Sequence, residues 1–175
     1  MKPIRNIILV PTLFLFTNFS HAQQTDITFA QDKKQIDACI QTFYRVLSYQ
    51  ANNLKNVDSL PTLFETDGTL TAMFGAQPML WTAPQFVAFI KNGAAQGARD
   101  RSETELYERT EIFGNIAHRF STYHLKMTVG IKPEERRGIN SIQLVKIGGA
   151  WLIHSLVWDR ETETMKLPKV YGGKQ

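Results

Sequence analysis

Four long segments in the C-terminal half of this chain alternate polar and apolar residues with a period of two. They span residues 102–113, 116–130, 137–147 and 150–159. Such alternation is typical of β-strands, and the pairs Gly114-Asn115 and Gly148-Gly149 between neighbouring segments are typical of tight hairpin turns. The charged segment 132–136 is predicted to be a longer loop between the second and third strands. The sequence therefore predicts a meander of four antiparallel strands.

Helical periodicity precedes these strands. Asp32 comes directly before a stripe of apolar residues at steps of three and four, which predicts a helix to about residue 50. The members of this stripe are Ile36, Cys39, Ile40, Phe43, Tyr44 and Leu47. A short helix over 57–64, a short strand over 69–74 and a second helix over 82–92 are predicted next. Helices followed by a strand meander define an α+β domain, in which the helices cover one face of the sheet.

Residues 1–22 are predicted to be a signal peptide. Lys2 and Arg5 precede a short apolar run, and small residues end the segment at Ala22. This arrangement is typical of a secretory signal, and the apolar run is too short to span a bilayer as a helix. We therefore expect an exported chain that begins at Gln23, carries no membrane anchor and resides in the periplasm or the medium.

The rest of the chain is predicted to form one domain over residues 32–161. Residues 23–31 lack a clear period and are predicted to be a flexible leader, and the polar residues 162–175 are predicted to be a surface tail. No cluster of basic residues interleaved with aromatic residues occurs, so nucleic acid is not an expected partner. Cys39 is the sole cysteine, which excludes an internal disulfide, and its helical spacing indicates a buried apolar residue.

The order of these elements and three short segments resemble the nuclear transport factor 2-like superfamily. The segments are FGNIAHRFSTYH at 113–124, GINSIQL at 138–144 and GGAWLIHSLVWDRE at 148–161. Within the superfamily, the resemblance is to the SnoaL-like and ketosteroid isomerase-like cone fold and to exported bacterial proteins of unassigned role. It implies a curved antiparallel sheet wrapped around the N-terminal helices into a cone with an internal cavity. It also implies a homodimer that pairs through the outer face of the sheet.

Strand alternation sorts the residues onto two faces, and the resemblance assigns the face that includes Trp151 to the cavity and the face that includes Trp158 to the outside. The candidate cavity residues are Tyr44, Arg119, Ser121, Tyr123, Ser141, Gln143, Ser155 and Asp159. His118, His124 and His154 are predicted to lie on the outer face or at its rim. Because His118 and His124 are about 20 Å apart by strand rise, no metal site is predicted, and no cofactor is expected.

Arg119 and Asp159 are the sharpest candidate pair. In a polar cavity they could orient a carboxylate or carbonyl ligand, or they could hold two strands together as an internal ion pair. The glutamates from Glu103 to Glu111 are mostly predicted to lie on a solvated edge.

The hydroxyls of Tyr44 and Tyr123 are candidates for contact with a substrate oxygen. Superfamily members that isomerise steroids or dehydrate polyketide-like molecules pair such a tyrosine with an acidic or histidine base. Only Asp58 and Glu108 are possible bases here, so no catalytic residue is assigned. Three functions stay open: binding of a small organic molecule, cofactor-free isomerase, dehydratase or cyclase activity, and non-catalytic protein association.

Overall fold

A curved, open sheet of six strands holds most of the chain. The computed structural model describes residues 20–74 and 77–172. The helices are α1 (Ser20–Val46) and α2 (Ala83–Ala95), with 3-10 helices at Lys55–Leu63 and Lys169–Tyr171. The strands are β1 (Phe64–Phe74), β2 (Gln77–Thr82), β3 (Ala98–Phe113), β4 (Ile116–Val129), β5 (Lys132–Ile147) and β6 (Ala150–Arg160). The predicted α+β class is confirmed.

The strands are ordered β2-β1-β6-β5-β4-β3 across the sheet. Neighbours run antiparallel except β1 and β6, which pair in parallel. Strands β3 to β6 are the four predicted strands, so the meander is confirmed. Gly114 and Gly148 in its tight turns have φ angles of 56° and 59°, a left-handed conformation that glycine adopts without a steric penalty.

The sheet is larger than the sequence predicts. β2 was not predicted, and β3 begins at Ala98, before the predicted strand start at residue 102. The predicted loop 132–136 belongs to β5, because Val129 pairs with Lys132 and the turn between them is short. Backbone pairing with β4 makes this segment a strand. Its charged side chains show no alternation of polar and apolar residues, so the sequence did not indicate a strand here.

Helix α1 begins at Ser20, a dozen residues before the predicted start. The prediction of a flexible leader over 23–31 is therefore wrong. This segment contains no proline or glycine, so nothing in it interrupts a helix. Residues 28–31 are exposed, so the segment lacks the apolar stripe from which a helix is predicted. Residues 1–19 lie outside the described part of the chain, and signal-peptide cleavage stays a prediction. Within the described ranges, none of the helices is long and apolar enough to cross a membrane.

The core lies between the helices and the sheet. Ile36, Ile40 and Phe43 of α1 are buried against the strands, as their spacing predicts. Cys39 is half-buried beside this core, and burial raises the pKa of its thiol to about 11. A thiol with so high a pKa is almost wholly protonated near neutral pH, which fits a packing role.

β6 contains a bulge that reverses its side-chain order. Leu144 pairs with Ile153 and Gln143 pairs with Ser155, so His154 has no residue opposite it. Residues that lie opposite each other in an antiparallel pair project to the same face of the sheet, and one extra residue shifts all later side chains to the other face.

The bulge turns Trp158 toward the helices, on the same side as Trp151. Trp158 stacks on Trp81 with ring centroids 5.9 Å apart, and the buried Trp151 packs in the core. The prediction that Trp151 and Trp158 face opposite sides is wrong, because alternation counted through residue 154 assumes unbroken pairing.

The C-terminal residues 161–172, here called the strap, lie across the outer face of the sheet. Leu167 is buried, and the ring of Tyr171 contacts that of Phe120 at a centroid distance of 4.8 Å. The Thr122 hydroxyl donates a 2.8 Å hydrogen bond to the Tyr171 carbonyl. The predicted surface tail thus belongs, as far as residue 172, to an element that packs on the sheet. Dimerisation through the outer face stays a prediction.

Asp32 ties α1 to the hairpin of β5 and β6. Its carboxylate accepts hydrogen bonds from Lys146 Nζ at 2.6 Å and from Trp151 Nε1 at 3.1 Å. The hydrogen bond from Lys146 lowers the pKa of the Asp32 carboxyl, and this effect outweighs the burial that raises it. A depressed pKa means that the interaction contributes stability above the unfolded-state pKa and loses it as the pH falls through the folded-state pKa.

We expect Asp32→Asn to lower the free energy of unfolding by about 1–2 kcal/mol at pH 7. The difference between wild type and Asp32→Asn should begin to shrink as the pH falls below about 4, where the unfolded chain takes up a proton at this carboxyl, and should disappear only below the depressed pKa of the folded state. Urea unfolding at pH 7 and pH 3 measures both. Asp58→Asn, which alters an exposed pair with Lys91, should change stability by less than about 0.5 kcal/mol. A pH-independent difference would contradict the assignment.

Candidate functional site

A cavity of about 210 Å³ lies between the inner face of the sheet, the C-terminal end of α1 and the helix α2. Its apolar wall consists mainly of Phe43, Leu47, Leu70, Phe86, Phe89, Ile90, Leu125, Met127, Leu156 and Trp158. The polar residues that line it are Tyr49, Arg101, Glu103, Tyr123, Arg136, Asn140 and Arg160. We call this space the interior cavity.

Aromatic rings define one wall of the interior cavity. Trp158 of β6 lies 5.7 Å from Phe86 of α2, in an edge-to-face arrangement. Phe86 stacks on Phe89 at 5.9 Å, and Trp81 of β2 lies against both. Thr82 and Gln85 form a reciprocal capping box at the start of α2, which fixes the helix that carries two of these rings.

The charged residues lie on neighbouring rows of the sheet. Glu103, Leu125 and Arg136 are opposite one another on β3, β4 and β5. Tyr123, Gly138 and Arg160 form the next row on β4, β5 and β6. This register directs an acid, two arginines and a phenol to one region of the inner face.

Arg101 stands beside Glu103 and forms a salt bridge with its buried carboxylate. Backbone hydrogen bonds of 2.8 Å in both directions tie Arg101 to Tyr49 at the end of α1. The Ser48 hydroxyl accepts a 2.9 Å hydrogen bond from the Glu103 backbone amide. Arg101 Nε is buried and has no hydrogen-bond partner among residues 20–74 and 77–172. It is a donor with no acceptor, at the wall of an apolar cavity.

The Tyr123 side chain is buried next to these charges. Burial raises the pKa of its hydroxyl, and the Glu103 carboxylate raises it further, whereas Arg101, Arg136 and Arg160 lower it. The net effect is a pKa well above the ordinary value, so Tyr123 is a neutral hydrogen-bond donor at physiological pH. No partner for this hydroxyl is found in the described part of the chain.

A polar groove of about 610 Å³ on the surface adjoins the interior cavity. Tyr49, Arg101 and Met127 line both spaces. The guanidinium of Arg101 therefore stands where the apolar interior meets polar surface.

Arg119 forms a separate buried cluster, away from the interior cavity. Its guanidinium donates to both oxygens of Glu105 at 2.9 and 2.5 Å, and to Asp37 of α1 at 2.6 Å. Glu108 lies 3.3 Å away and also bonds Lys33. Burial opposes the charge of Arg119, but the bonds to Glu105 and Asp37 raise its pKa overall. The predicted pair of Arg119 with Asp159 is wrong, and Arg119 is an internal ion-pair residue.

A hydrogen-bond chain leads from this cluster to the cavity wall. Ser121 donates to Glu105 at 2.5 Å, and the Tyr44 hydroxyl contacts Ser121 at 2.6 Å. Asn140, which lines the interior cavity, donates to the Tyr44 hydroxyl at 2.9 Å. Burial, reinforced by the charge of Glu103, raises the pKa of Tyr44 far above its ordinary value. Tyr44 and Ser121 thus lie behind the cavity wall, with their hydroxyls already satisfied.

Four predicted cavity residues lie on the outer face instead. Ser141 is opposite Phe120, and Gln143 is opposite His118, because the buried side of β5 is that of Asn140. Ser155 and Asp159 point outward because of the bulge in β6. Of the eight candidates, the interior cavity includes only Tyr123.

The three histidines bond separate partners. His118 contacts Ser141 at 3.1 Å, His124 contacts Glu135 at 3.2 Å, and His154 contacts Glu65 at 2.7 Å. Among the described residues, no group of three or more histidine, cysteine or acidic side chains is placed to hold a metal ion.

Sequence reasoning missed Arg101, Glu103 and Arg136. Arg101 lies just before the predicted start of its strand, Arg136 lies in a segment predicted to be a loop, and Glu103 was expected on a solvated edge. A usable signal exists, because Arg101 and Glu103 are two residues apart and so share one face once the strand is known to start at Ala98.

The architecture is similar to that of several solved structures. It is similar to a nuclear transport factor 2-like protein with a cystatin-like fold from Novosphingobium aromaticivorans, with a TM-score of 0.65, 12% identity and coverage of 85% of this chain and 94% of that chain. It is also similar to a candidate scytalone dehydratase from the same organism, with a TM-score of 0.62, 13% identity and coverage of 79% and 89%. A candidate calcium/calmodulin-dependent kinase II association domain from Exiguobacterium sibiricum gives a TM-score of 0.61, 10% identity and coverage of 76% and 95%.

The sequence itself matches no protein-family model and no curated protein. The structural similarities nevertheless agree on one architecture, and the chain has the nuclear transport factor 2-like fold. The resemblance seen in the sequence is confirmed at the level of the fold.

Proposed function

We propose that this protein binds a small organic acid with an aromatic or other apolar body in the interior cavity. Apolar side chains would hold the body of such a ligand, and its acidic group would lie at Arg101 and Tyr123. The volume of about 210 Å³ is below the roughly 300–1,000 Å³ of sites for drug-sized ligands. The ligand is therefore expected to be about the size of a single substituted ring.

The observation that carries this proposal is the unpartnered Nε of Arg101. A buried donor without an acceptor costs about 1–3 kcal/mol. Arg101 Nε is closed to solvent, so a ligand oxygen would reach it through a shift of the Arg101 side chain and would then remove that cost. The guanidinium presents several donors in one plane, so it can hold Glu103 and a ligand carboxylate together. The neutral Tyr123 hydroxyl supplies a second donor nearby.

Benzoate is a suitable probe for this site, with benzyl alcohol as its uncharged counterpart. Isothermal titration calorimetry should detect benzoate binding, and Arg101→Met should weaken it by about tenfold or more. Arg109→Met, which removes an exposed arginine from the same strand, should leave the affinity unchanged. Benzyl alcohol should bind wild type and Arg101→Met about equally.

A second variant separates loss of the anion site from general damage. Glu103→Gln removes the carboxylate that competes for Arg101, so it should strengthen benzoate binding while Arg101→Met weakens it. Absence of benzoate binding, or equal weakening in both variants, would contradict the proposal.

One observation favours a second function, cofactor-free acid–base catalysis. The carboxylate of Glu103 and the hydroxyl of Tyr123 face the same cavity, which provides a possible base and a possible acid. The candidate scytalone dehydratase shares the fold, although 13% identity carries no activity across. Under this alternative, Glu103→Gln would abolish turnover of a substrate that still binds.

Export to the periplasm or medium and formation of a homodimer are also part of the proposal, and both derive from the sequence and its resemblance. The dimer would pair through the part of the outer face that residues 161–172 leave uncovered. Cleavage after Ala22 would shorten α1 by its first three residues. The buried stripe from Ile36 to Leu47 would keep its contacts with the sheet. A small exported domain with an interior cavity is suited to capturing a diffusible molecule outside the cytoplasm.

A further inference from the structure

The strap and the outer face of the sheet border a second cavity, which is open to solvent and lies on the opposite side of the sheet from the interior cavity. This space has a volume of about 450 Å³. The sheet contributes Met73, Phe120, Ile139 and Val157, and the strap contributes Met165, Leu167, Pro168 and Tyr171. The two cavities share only Trp158 and Arg160 among their lining residues.

Hydrogen bonds at both ends hold the strap against the sheet. At its start, the Glu161 amide donates to the Arg137 carbonyl at 2.7 Å. At its end, the Thr122 hydroxyl donates to the Tyr171 carbonyl at 2.8 Å, and the Arg137 guanidinium donates to the Gly172 carbonyl at 2.9 Å. Leu167 is buried between these ends. The anchors therefore fix both ends of the strap against the sheet.

Apolar side chains face this cavity from both sides without filling it. Val157 on the sheet is 40% exposed and Met165 on the strap is 45% exposed. Methionine side chains at both walls, Met73 and Met165, can adapt to ligands of different shape. A ligand that covers these side chains would remove apolar surface from water, which favours binding.

Several of the polar side chains around the cavity have partners elsewhere, while the charged residues Arg160 and Lys166 also line it. Ser141 bonds His118, Glu161 accepts from the Leu167 amide at 2.9 Å, and Asp159 accepts from the Arg160 amide at 2.7 Å. The surface that the lining residues expose to this cavity is nonetheless almost wholly apolar, so the site favours apolar contact over recognition of a charge. We propose that the cavity beneath the strap is a second binding site, which takes an uncharged and largely hydrocarbon molecule.

N-phenyl-1-naphthylamine, an uncharged apolar fluorophore, tests this site on protein purified after expression of the complete chain. We expect saturable binding to wild type and a loss of affinity of about tenfold or more in Val157→Trp, which fills the cavity from a partly exposed position. Gln143→Trp is the matched control, because Gln143 lies exposed on the same face outside the cavity. Its affinity should stay within about twofold of wild type.

Gly93→Trp separates the two cavities. Gly93 lines the interior cavity, and a side chain there meets no atom within 4 Å of its Cβ. This variant should leave fluorophore binding intact while it impairs benzoate binding, so the two proposals can fail independently. The site is overturned by absence of fluorophore binding, by loss in Gly93→Trp but not Val157→Trp, or by equal loss in all three variants. Light scattering that shows a dimer which Val157→Trp dissociates would assign the face to a second copy and also overturn it.

Discussion

Gly138→Ala is expected to destabilise the protein by about 3 kcal/mol or more, because β5 and β6 approach each other too closely there for a side chain. A Cβ at residue 138 would lie 2.0 Å from the Asp159 carbonyl oxygen and 2.8 Å from the Arg160 Cα. Both contacts are to backbone, which cannot move without separating the strands. The same Cβ would lie 2.7 Å from the Tyr123 hydroxyl. The substitution should therefore also weaken benzoate binding in whatever fraction still folds.

Gly93→Ala is the matched control for this effect. Gly93 lies in α2, and a Cβ added there would meet no atom within 4 Å, so alanine should be neutral or stabilise by up to about 1 kcal/mol through higher helix propensity. Urea unfolding of the two variants beside wild type measures the contrast. Equal stability of Gly138→Ala and Gly93→Ala would show that the strands do not approach as closely as described.

Arg119→Met is expected to destabilise the protein by about 3 kcal/mol, since it leaves carboxylates in the interior without their cation. The Arg119 side chain is 3% exposed, and Glu105 depends on it for two hydrogen bonds. Asp37 is partly exposed, so water compensates part of its loss. The expected loss in the free energy of unfolding is therefore at the lower end of the range for a buried ion pair that loses one partner.

Two comparisons make the Arg119 result specific. Arg109→Met removes an exposed pair with Glu111 and should cost less than about 0.5 kcal/mol. Adding Glu105→Leu to Arg119→Met should recover part of the lost stability, because it removes the stranded carboxylate. If the double variant is as unstable as the sum of both single variants, the proposed charge cluster is wrong.

The sequence predicts most helices and strands of the fold because their buried residues recur with the period of a helix or a strand. Ile36, Ile40 and Phe43 bury one stripe of α1, and the four strands of the meander keep their alternation. The helix before residue 32 could not be predicted in this way, because residues 28–31 are exposed and contribute no stripe.

The site was harder to predict because it depends on register. Alternation places Tyr123 on the inner face correctly, but nothing in the residues near His154 announces the bulge that turns Trp158 inward and Asp159 outward. The inner face of β5 is likewise set by its pairing with β4, which puts Asn140 inside and Ser141 outside. A shift of one residue exchanges the two faces, so small errors of register replace a whole set of site residues.

Ion pairs between residues far apart in the chain also could not be predicted from local sequence patterns. Arg119 bonds Glu105 and Asp37, which are far from it in sequence but meet it where α1 crosses β3 and β4. The strap presents the same difficulty, since its mostly polar composition conceals the two apolar anchors Leu167 and Tyr171.

A crystal structure of the protein grown with benzoate tests the central proposal most directly. We expect the ring against Trp158 and Phe86, and the carboxylate within about 3 Å of Arg101 Nε and the Tyr123 hydroxyl. An interior cavity closed by side chains, or benzoate bound only elsewhere, would contradict the account.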